Sequence, residues 1–333
     1  ERAAHAGLIA SIAARFPMFG VSTQLINRWI ASHMFSPHIS DEAIEALVAT
    51  LFVTPGSALP PMSREVTFVR FLNLVASHLW HDPVVLDPEN VVTEAEVERI
   101  NRTAKGAPAM CIVTPHDRSG SQLTLAAPNV VVLKRLVVIA TRATLEVQGL
   151  LDGTSKHSLA DEDAWEKFFK PSLSGFQAAF ILRRSALPFP KQALFPSKRL
   201  YKRMREHFES EMSVVDEDDE ETLAQSIKLA KLPPKLLQRG PDKAREALLI
   251  GFDPMSCFLK DAQDRLGGTA LLFADKYGGD TVGVAFKPGA VHADAQFPES
   301  LSWLPNPSPA ARDAVIEELA TISGNDFVAK VLS

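Results

Sequence analysis

The sequence predicts an α+β protein: a helical region over residues 1–90, then a mixed α/β region over residues 91–333. Three observations carry this. The first region repeats apolar stripes at helical spacing. The second interleaves such stripes with short apolar runs bounded by Gly, Pro and Asp. Between them, His81 to Glu89 contains Pro83 and Pro88 and reads as an extended linker. The 333 residues suffice for about two domains. With 46% apolar and 23% charged residues, the composition excludes a largely disordered chain. A net charge of −5 excludes a uniformly basic nucleic-acid coat but not local basic patches.

Taken in order, Ser22 is a candidate cap for a helix presenting Leu25, Ile26, Trp29 and Ile30. Ser40 caps a second, with Ile44, Leu47, Val48, Leu51 and Phe52 following the i, i+3, i+4, i+7, i+8 pattern. Ser63 caps a third, with Phe68, Phe71, Leu72, Val75 and Leu79 inward. Thr93 with Glu96 forms a capping box for a short helix to about Lys105. Ala109 to Thr114 reads as a strand and Asp117-Arg118-Ser119-Gly120 as a turn. Pro128 opens a helix to about Gln148 that buries Val131, Leu136, Ile139 and Leu145. Phe176–Leu182 and Ala247–Phe252 read as strands. Pro254 starts a helix with Phe258, Leu259, Ala262 and Leu266 aligned, ended by Gly267-Gly268. Thr269–Ala274 and Thr281–Phe286 flank Tyr277-Gly278-Gly279-Asp280, a hairpin signal. Ser308-Pro309 opens a last helix with Val315, Ile316, Leu319 and Ile322. This β-α-β…α-β-β order suits a sandwich of ferredoxin-like type. Residues 185–245 read as an irregular, charged insertion.

No apolar run approaches the ~18–20 residues a membrane helix needs, so no membrane contact is expected. Cys111 and Cys257 are too few and too distant for a disulfide framework, which favours a reducing compartment. The chain begins at Glu1 and reads as an internal or C-terminal piece of something longer.

Catalytic chemistry finds no footing. His33 and His38 sit five apart and His78 and His81 three apart, with no cysteine cluster or HExxH pattern to complete a zinc site. They read as helix-end histidines making local hydrogen bonds. Asp161-Glu162-Asp163 reads as a helix start, and the six acids Asp216 to Glu221 as a solvated loop. Metal-binding carboxylates of a nucleotidyltransferase would alternate on a buried strand, and neither run does. Gly120-Ser121 lacks the spacing of a phosphate-binding loop. No catalytic residue, metal ligand or cofactor is expected. The suggestive segment is basic: Lys198, Arg199, Lys202, Arg203 and Arg205, interleaved with Tyr201. It is the candidate RNA-binding element; an acidic protein partner, or a plain surface helix balanced by the acids at its end, are the alternatives.

Several blocks resemble the Nrap family of nucleolar RNA-associated proteins of the small-subunit processome. They are Arg28-Trp29-Ile30-Ala31-Ser32-His33-Met34-Phe35-Ser36, Glu45-Ala46-Leu47-Val48-Ala49 and Phe68-Val69-Arg70-Phe71-Leu72. In the second region they are Pro108-Ala109-Met110, Thr114-Pro115-His116-Asp117-Arg118-Ser119-Gly120-Ser121, Gly251-Phe252-Asp253-Pro254, and Tyr277-Gly278-Gly279-Asp280 running to Phe286-Lys287-Pro288. The resemblance implies a substrate-binding-like helical domain of poly(A)-polymerase/oligoadenylate-synthetase type followed by an α/β domain. It also implies a non-catalytic scaffold of the nucleolus, in the nucleus, that serves pre-rRNA processing and ribosome biogenesis. The implied partners are pre-rRNA, components of the U-three small nucleolar ribonucleoprotein, and a partner like the ribosomal RNA processing protein seven. Two rivals stand beside it: the substrate-binding half of an active RNA nucleotidyltransferase, and a protein-interaction module without RNA contact.

Overall fold

The computed structural model describes residues 2–56, 58–100, 108–124, 128–152, 165, 167–173, 175–183, 254–267, 269–286, 309–323 and 328–332. The chain divides into two units, Glu1–Gln192 with Met255–Ser333, and Ala193–Pro254. All described residues except Pro254 belong to the first.

The N-terminal part is a bundle of α1 (Arg2–Arg15), α2 (Met18–Ser32), α3 (Asp41–Val53) and α4 (Arg64–Ser77). Two of the expected caps form: Ser40 Oγ accepts from the Ala43 N–H at 3.1 Å and Ser63 Oγ from the Val66 N–H at 3.2 Å. Ser22 does not cap. It lies inside α2, buried, and donates to Thr67 Oγ1 of α4 at 3.0 Å, so a polar pair replaces the expected helix start. Leu79 lies beyond the end of α4 and is exposed instead of inward. The core is aromatic. Trp29 is fully buried and meets Phe68 and Phe71 edge-on at ring separations of 5.9 and 6.2 Å.

The expected linker contributes β1 (Val84–Val85), which pairs in parallel with β2 (Ile112–Val113). The strand expected over Ala109–Thr114 is therefore two residues long and stands outside the main sheet. Between them, α5 (Glu94–Glu98) starts with the expected reciprocal cap: Glu96 Oε2 accepts from both the Thr93 N–H and its hydroxyl at 2.9 Å. The Thr93 backbone hydrogen bond and then the Arg118 ion pair hold the Glu96 carboxyl down to about 2. The following helix, α6 (Val130–Leu151), is capped by Asn129. Val132, Leu133, Leu136, Ala140, Ala143 and Val147 form its buried face, packed on α4. Leu136 is inward as expected; Val131 and Ile139 are half-buried, and Leu145 is exposed.

The main sheet contains β3 (Ala178–Leu182), β4 (Ala270–Ala274), β5 (Thr281–Phe286) and β6 (Val328–Leu332), all antiparallel in the order β4-β5-β3-β6. The helices α7 (Pro254–Leu266) and α8 (Pro309–Ser323) pack on one face, where every second strand residue is buried: Ala178, Phe180 and Leu182; Ala270, Leu272 and Ala274; Val282, Val284 and Phe286. The opposite face is buried too. Phe273 meets Phe35 at 5.9 Å and Phe176 at 5.2 Å, which explains why these strands read as unbroken apolar runs.

A left-handed residue ties bundle to sheet. Met34 has φ 67°, and α2 ends with the Met34 N–H on the Ala31 carbonyl at 2.8 Å and the Phe35 N–H on the Ile30 carbonyl at 3.2 Å. This pair of hydrogen bonds marks a helix end usually closed by glycine. It throws Phe35 onto the edge of β4, where the Ala274 N–H donates to the Met34 carbonyl at 2.9 Å. The join is locked by a buried ion pair, Arg28 to Asp275, at 2.6 Å. Asp275 also accepts from the Tyr277 N–H at 2.9 Å, which shapes the hairpin turn.

Candidate functional site

The Asp117 turn is a finished structural unit. Its buried carboxylate accepts from the Ser119, Gly120 and Gln122 N–H groups at 3.1, 3.0 and 2.7 Å. The amides that would cradle a phosphate are thus occupied by the chain's own anion. Gly120, at φ +66°, admits no side chain: a Cβ there would lie 2.4 Å from Cys111 Sγ.

The open site lies elsewhere, where α6 faces Lys167, Phe168, Lys170, Ser172 and Gly175. The cleft measures about 200 Å³. Arg135, Ile139, Arg142 and Glu146 recur at helical spacing along one side of α6 and line it. Lys167 and Lys170 line the other side, with His33 between. An aromatic cluster positions the second side. Trp165, Phe168 and Phe169 gather around Phe68 at ring separations of 6.4, 6.4 and 6.0 Å, pinning this segment to α4.

Two cleft residues are held from behind. The Arg135 guanidinium lies 4.2 Å from the Phe176 ring centre and 5.5 Å from that of Phe273. Gly283 makes this possible, since a Cβ on it would come within 2.7 Å of the Phe176 ring. Burial pushes Arg135 down to about 10, so it remains a cation at neutral pH. His33 donates from Nε2 to the Phe168 carbonyl at 2.8 Å, and Nδ1 has no partner among the described residues. Burial first, and the nearby Arg135 charge in addition, push His33 down to about 4 against the raising effect of the Phe168 hydrogen bond. The expectation of local hydrogen bonds holds for His78, bonded to the Asp82 carbonyl at 2.9 Å, but not for His33, whose partner is 135 residues away.

His33 sets an acid limit on folding. Its folded pKa, about 4, lies below the ordinary 6.5. Between those values the unfolded chain takes a proton that the folded chain refuses, so stability falls as pH drops from 6.5 towards 4. The loss should total about 3 kcal/mol. His33→Gln keeps a donor for Phe168 and should flatten that part of a urea-midpoint profile. An unchanged slope would show that His33 is not the titrating group.

The candidate residues Lys198, Arg199, Tyr201, Lys202, Arg203 and Arg205 lie outside the described residues, as do Asp216 to Glu221 and the strand expected at Ala247–Phe252. Sequence reasoning missed the cleft. Its one legible sign was the repeat of Arg135 and Arg142 seven apart on α6. Among the described residues no group of three or more His, Cys, Asp or Glu is placed to hold a metal ion, and no single helix is long and apolar enough to cross a membrane.

The fold and the cleft define an α+β protein with a cationic groove on its helical part, suited to holding anions. Sequence comparison sharpens this. The Nrap protein PAP/OAS1-like domain 5 matches residues 16–170, and Nrap protein domain 6 matches residues 191–331. The chain belongs to the Nrap family. The boundary expected near residue 90 falls inside the first match, and α6, beyond it, packs on α4. Among relatives, Nucleolar protein 6 of Xenopus tropicalis is 27% identical over 281 residues, covering 82% of this chain and 21% of that protein. The human Nucleolar protein 6 is 28% identical over 279 residues, covering 82% and 21%. The U3 small nucleolar RNA-associated protein 22 of Schizosaccharomyces pombe is 24% identical over 199 residues, covering 57% and 17%. The chain spans about 21% of the length of the first relatives it matches. Its location is nuclear and nucleolar, like that of the proteins so named.

Proposed function

We propose that this chain is a non-catalytic assembly factor of the small-subunit processome, binding RNA and protein during pre-rRNA processing. The observation that carries the reading is the lining of the α6 cleft: among the described residues, Arg135, Arg142, Lys167 and Lys170 stand against one carboxylate, Glu146. Such a surface suits anions, and among the described residues it holds no acid pair for metal-assisted transfer. The relatives' names support the nucleolar setting and an association with U-three small nucleolar RNA. A partner like the ribosomal RNA processing protein seven belongs to the same proposal. So does RNA contact through Lys198, Arg199, Tyr201, Lys202, Arg203 and Arg205. The order β4-β5-β3-β6, with α7 and α8 on one face, supports a ferredoxin-like split β-α-β arrangement for the second region.

The test is direct. Purified chain incubated with RNA, magnesium and each nucleoside triphosphate should neither extend nor cleave the RNA. Metal-dependent activity that copurifies with the chain would favour the nucleotidyltransferase reading.

A further inference from the structure

We infer that the α6 cleft is a docking site for the RNA backbone, taking one internucleotide phosphate and its ribose. This rests on the proposed RNA-binding role and assigns it to a place in the fold. Three features of the cleft point to that ligand.

The first is charge. The chain as a whole carries −5, yet among the described residues four cations and one carboxylate line this cleft. The second is mixed chemistry. Val138, Ile139 and Ala143 form an apolar wall beside Arg135 and Arg142, so the cleft offers a surface for a sugar or base next to one for a phosphate. The third is size. About 200 Å³ is below the ~300–1,000 Å³ of typical small-molecule cavities, so the cleft suits a phosphate with its sugar better than a whole nucleoside triphosphate. Arg135 is the fixed element, stacked on Phe176 and Phe273 before any ligand arrives. Its planar guanidinium can meet a phosphate with two parallel donors. Arg142, Lys167 and Lys170 are exposed at the mouth and supply longer-range attraction.

The apolar wall favours RNA over an acidic peptide, whose carboxylates would meet the cations but leave Val138 and Ile139 uncovered. Contacts of this kind position a strand without reading its sequence.

The experiment measures binding of labelled oligouridylate to the whole chain across a salt series, with inorganic phosphate and polyglutamate as competitors. Arg142→Glu with Lys167→Glu changes two exposed residues. It should weaken binding about tenfold at low salt and reduce the salt slope by about one to two. Glu146→Lys should strengthen binding, a gain that a misfolded protein cannot mimic. Inorganic phosphate should compete weakly and polyglutamate poorly. If neither variant moves affinity or slope while Lys202→Glu with Arg203→Glu abolishes binding, the cleft assignment falls and the RNA-binding role stands. If the wild-type chain ignores oligouridylate but binds polyglutamate, both fall in favour of an acidic protein partner.

Discussion

Trp29→Ala should destabilise the chain by about 3–5 kcal/mol, the range for truncating a large buried aromatic. The indole is fully buried and meets Phe68 and Phe71 of α4, far along the chain, and His33 at 5.0 Å at the end of its own helix. Removing it opens a cavity where α2 meets α4, which a backbone this densely packed closes only in part. His33 lines the α6 cleft, so the damage should reach the site as well as the core. The indole Nε1 has no acceptor among the described residues. Trp29→Phe therefore loses volume but no hydrogen bond, and should cost well under half as much. Chemical denaturation of both variants checks the pair. A loss of only a few tenths of a kcal/mol for Trp29→Ala would remove this residue from the core.

Breaking the Arg28–Asp275 pair should be comparably costly. The two side chains are 10% and 5% exposed, and Arg28 Nη1 donates to Asp275 Oδ2 at 2.6 Å. Asp275→Ala leaves Arg28 buried with its charge unmatched, a situation worth about 3–5 kcal/mol. It also frees the Tyr277 N–H, so the hairpin turn should loosen. The pair joins α2 to the β4–β5 turn, beside the contact of Phe35 with β4, so its loss should uncouple bundle from sheet. A double replacement, Arg28→Met with Asp275→Leu, removes both charges together. It should cost clearly less than the sum of the singles. Additive losses would mean that the two side chains do not depend on one another.

Local signals survived from sequence to structure. Ser40, Ser63 and the Thr93–Glu96 box are visible within four residues, and each forms as read. The Tyr277-Gly278-Gly279-Asp280 hairpin is equally local, with Gly278 at φ 86°. What failed depended on distant partners. Ser22 carries the chemistry of a cap, but Thr67 of α4 claims its hydroxyl inside α2. Leu79 and Leu145 continue apolar stripes past the surfaces that could bury them. The helix α1 drew no separate reading within the helical region because its strong apolar positions are few: among its described residues, only Leu8 and Ile12 are buried. The short strand β6 follows the turn-type residues Gly324-Asn325-Asp326 in the sequence, but exposed Lys330 at its centre interrupts its apolar run. The cleft was the least legible feature of all. It unites His33, one side of α6 from Arg135 to Glu146, and Lys167, Phe168, Lys170, Ser172 and Gly175, and the hydrogen bond and ring contacts that assemble it leave no mark in local spacing.

The measurement that bears most directly on the RNA-binding scaffold role is a crosslinking map of the full-length protein inside purified pre-ribosomal particles, with photoreactive uridine in the pre-rRNA. Crosslinked peptides should cluster in Arg135–Glu146, Lys167–Gly175 and Lys198–Arg205, with the same pattern in the presence and absence of added nucleoside triphosphate. Particles that crosslink strongly elsewhere on the protein, yet leave all three stretches unmodified, would contradict the account.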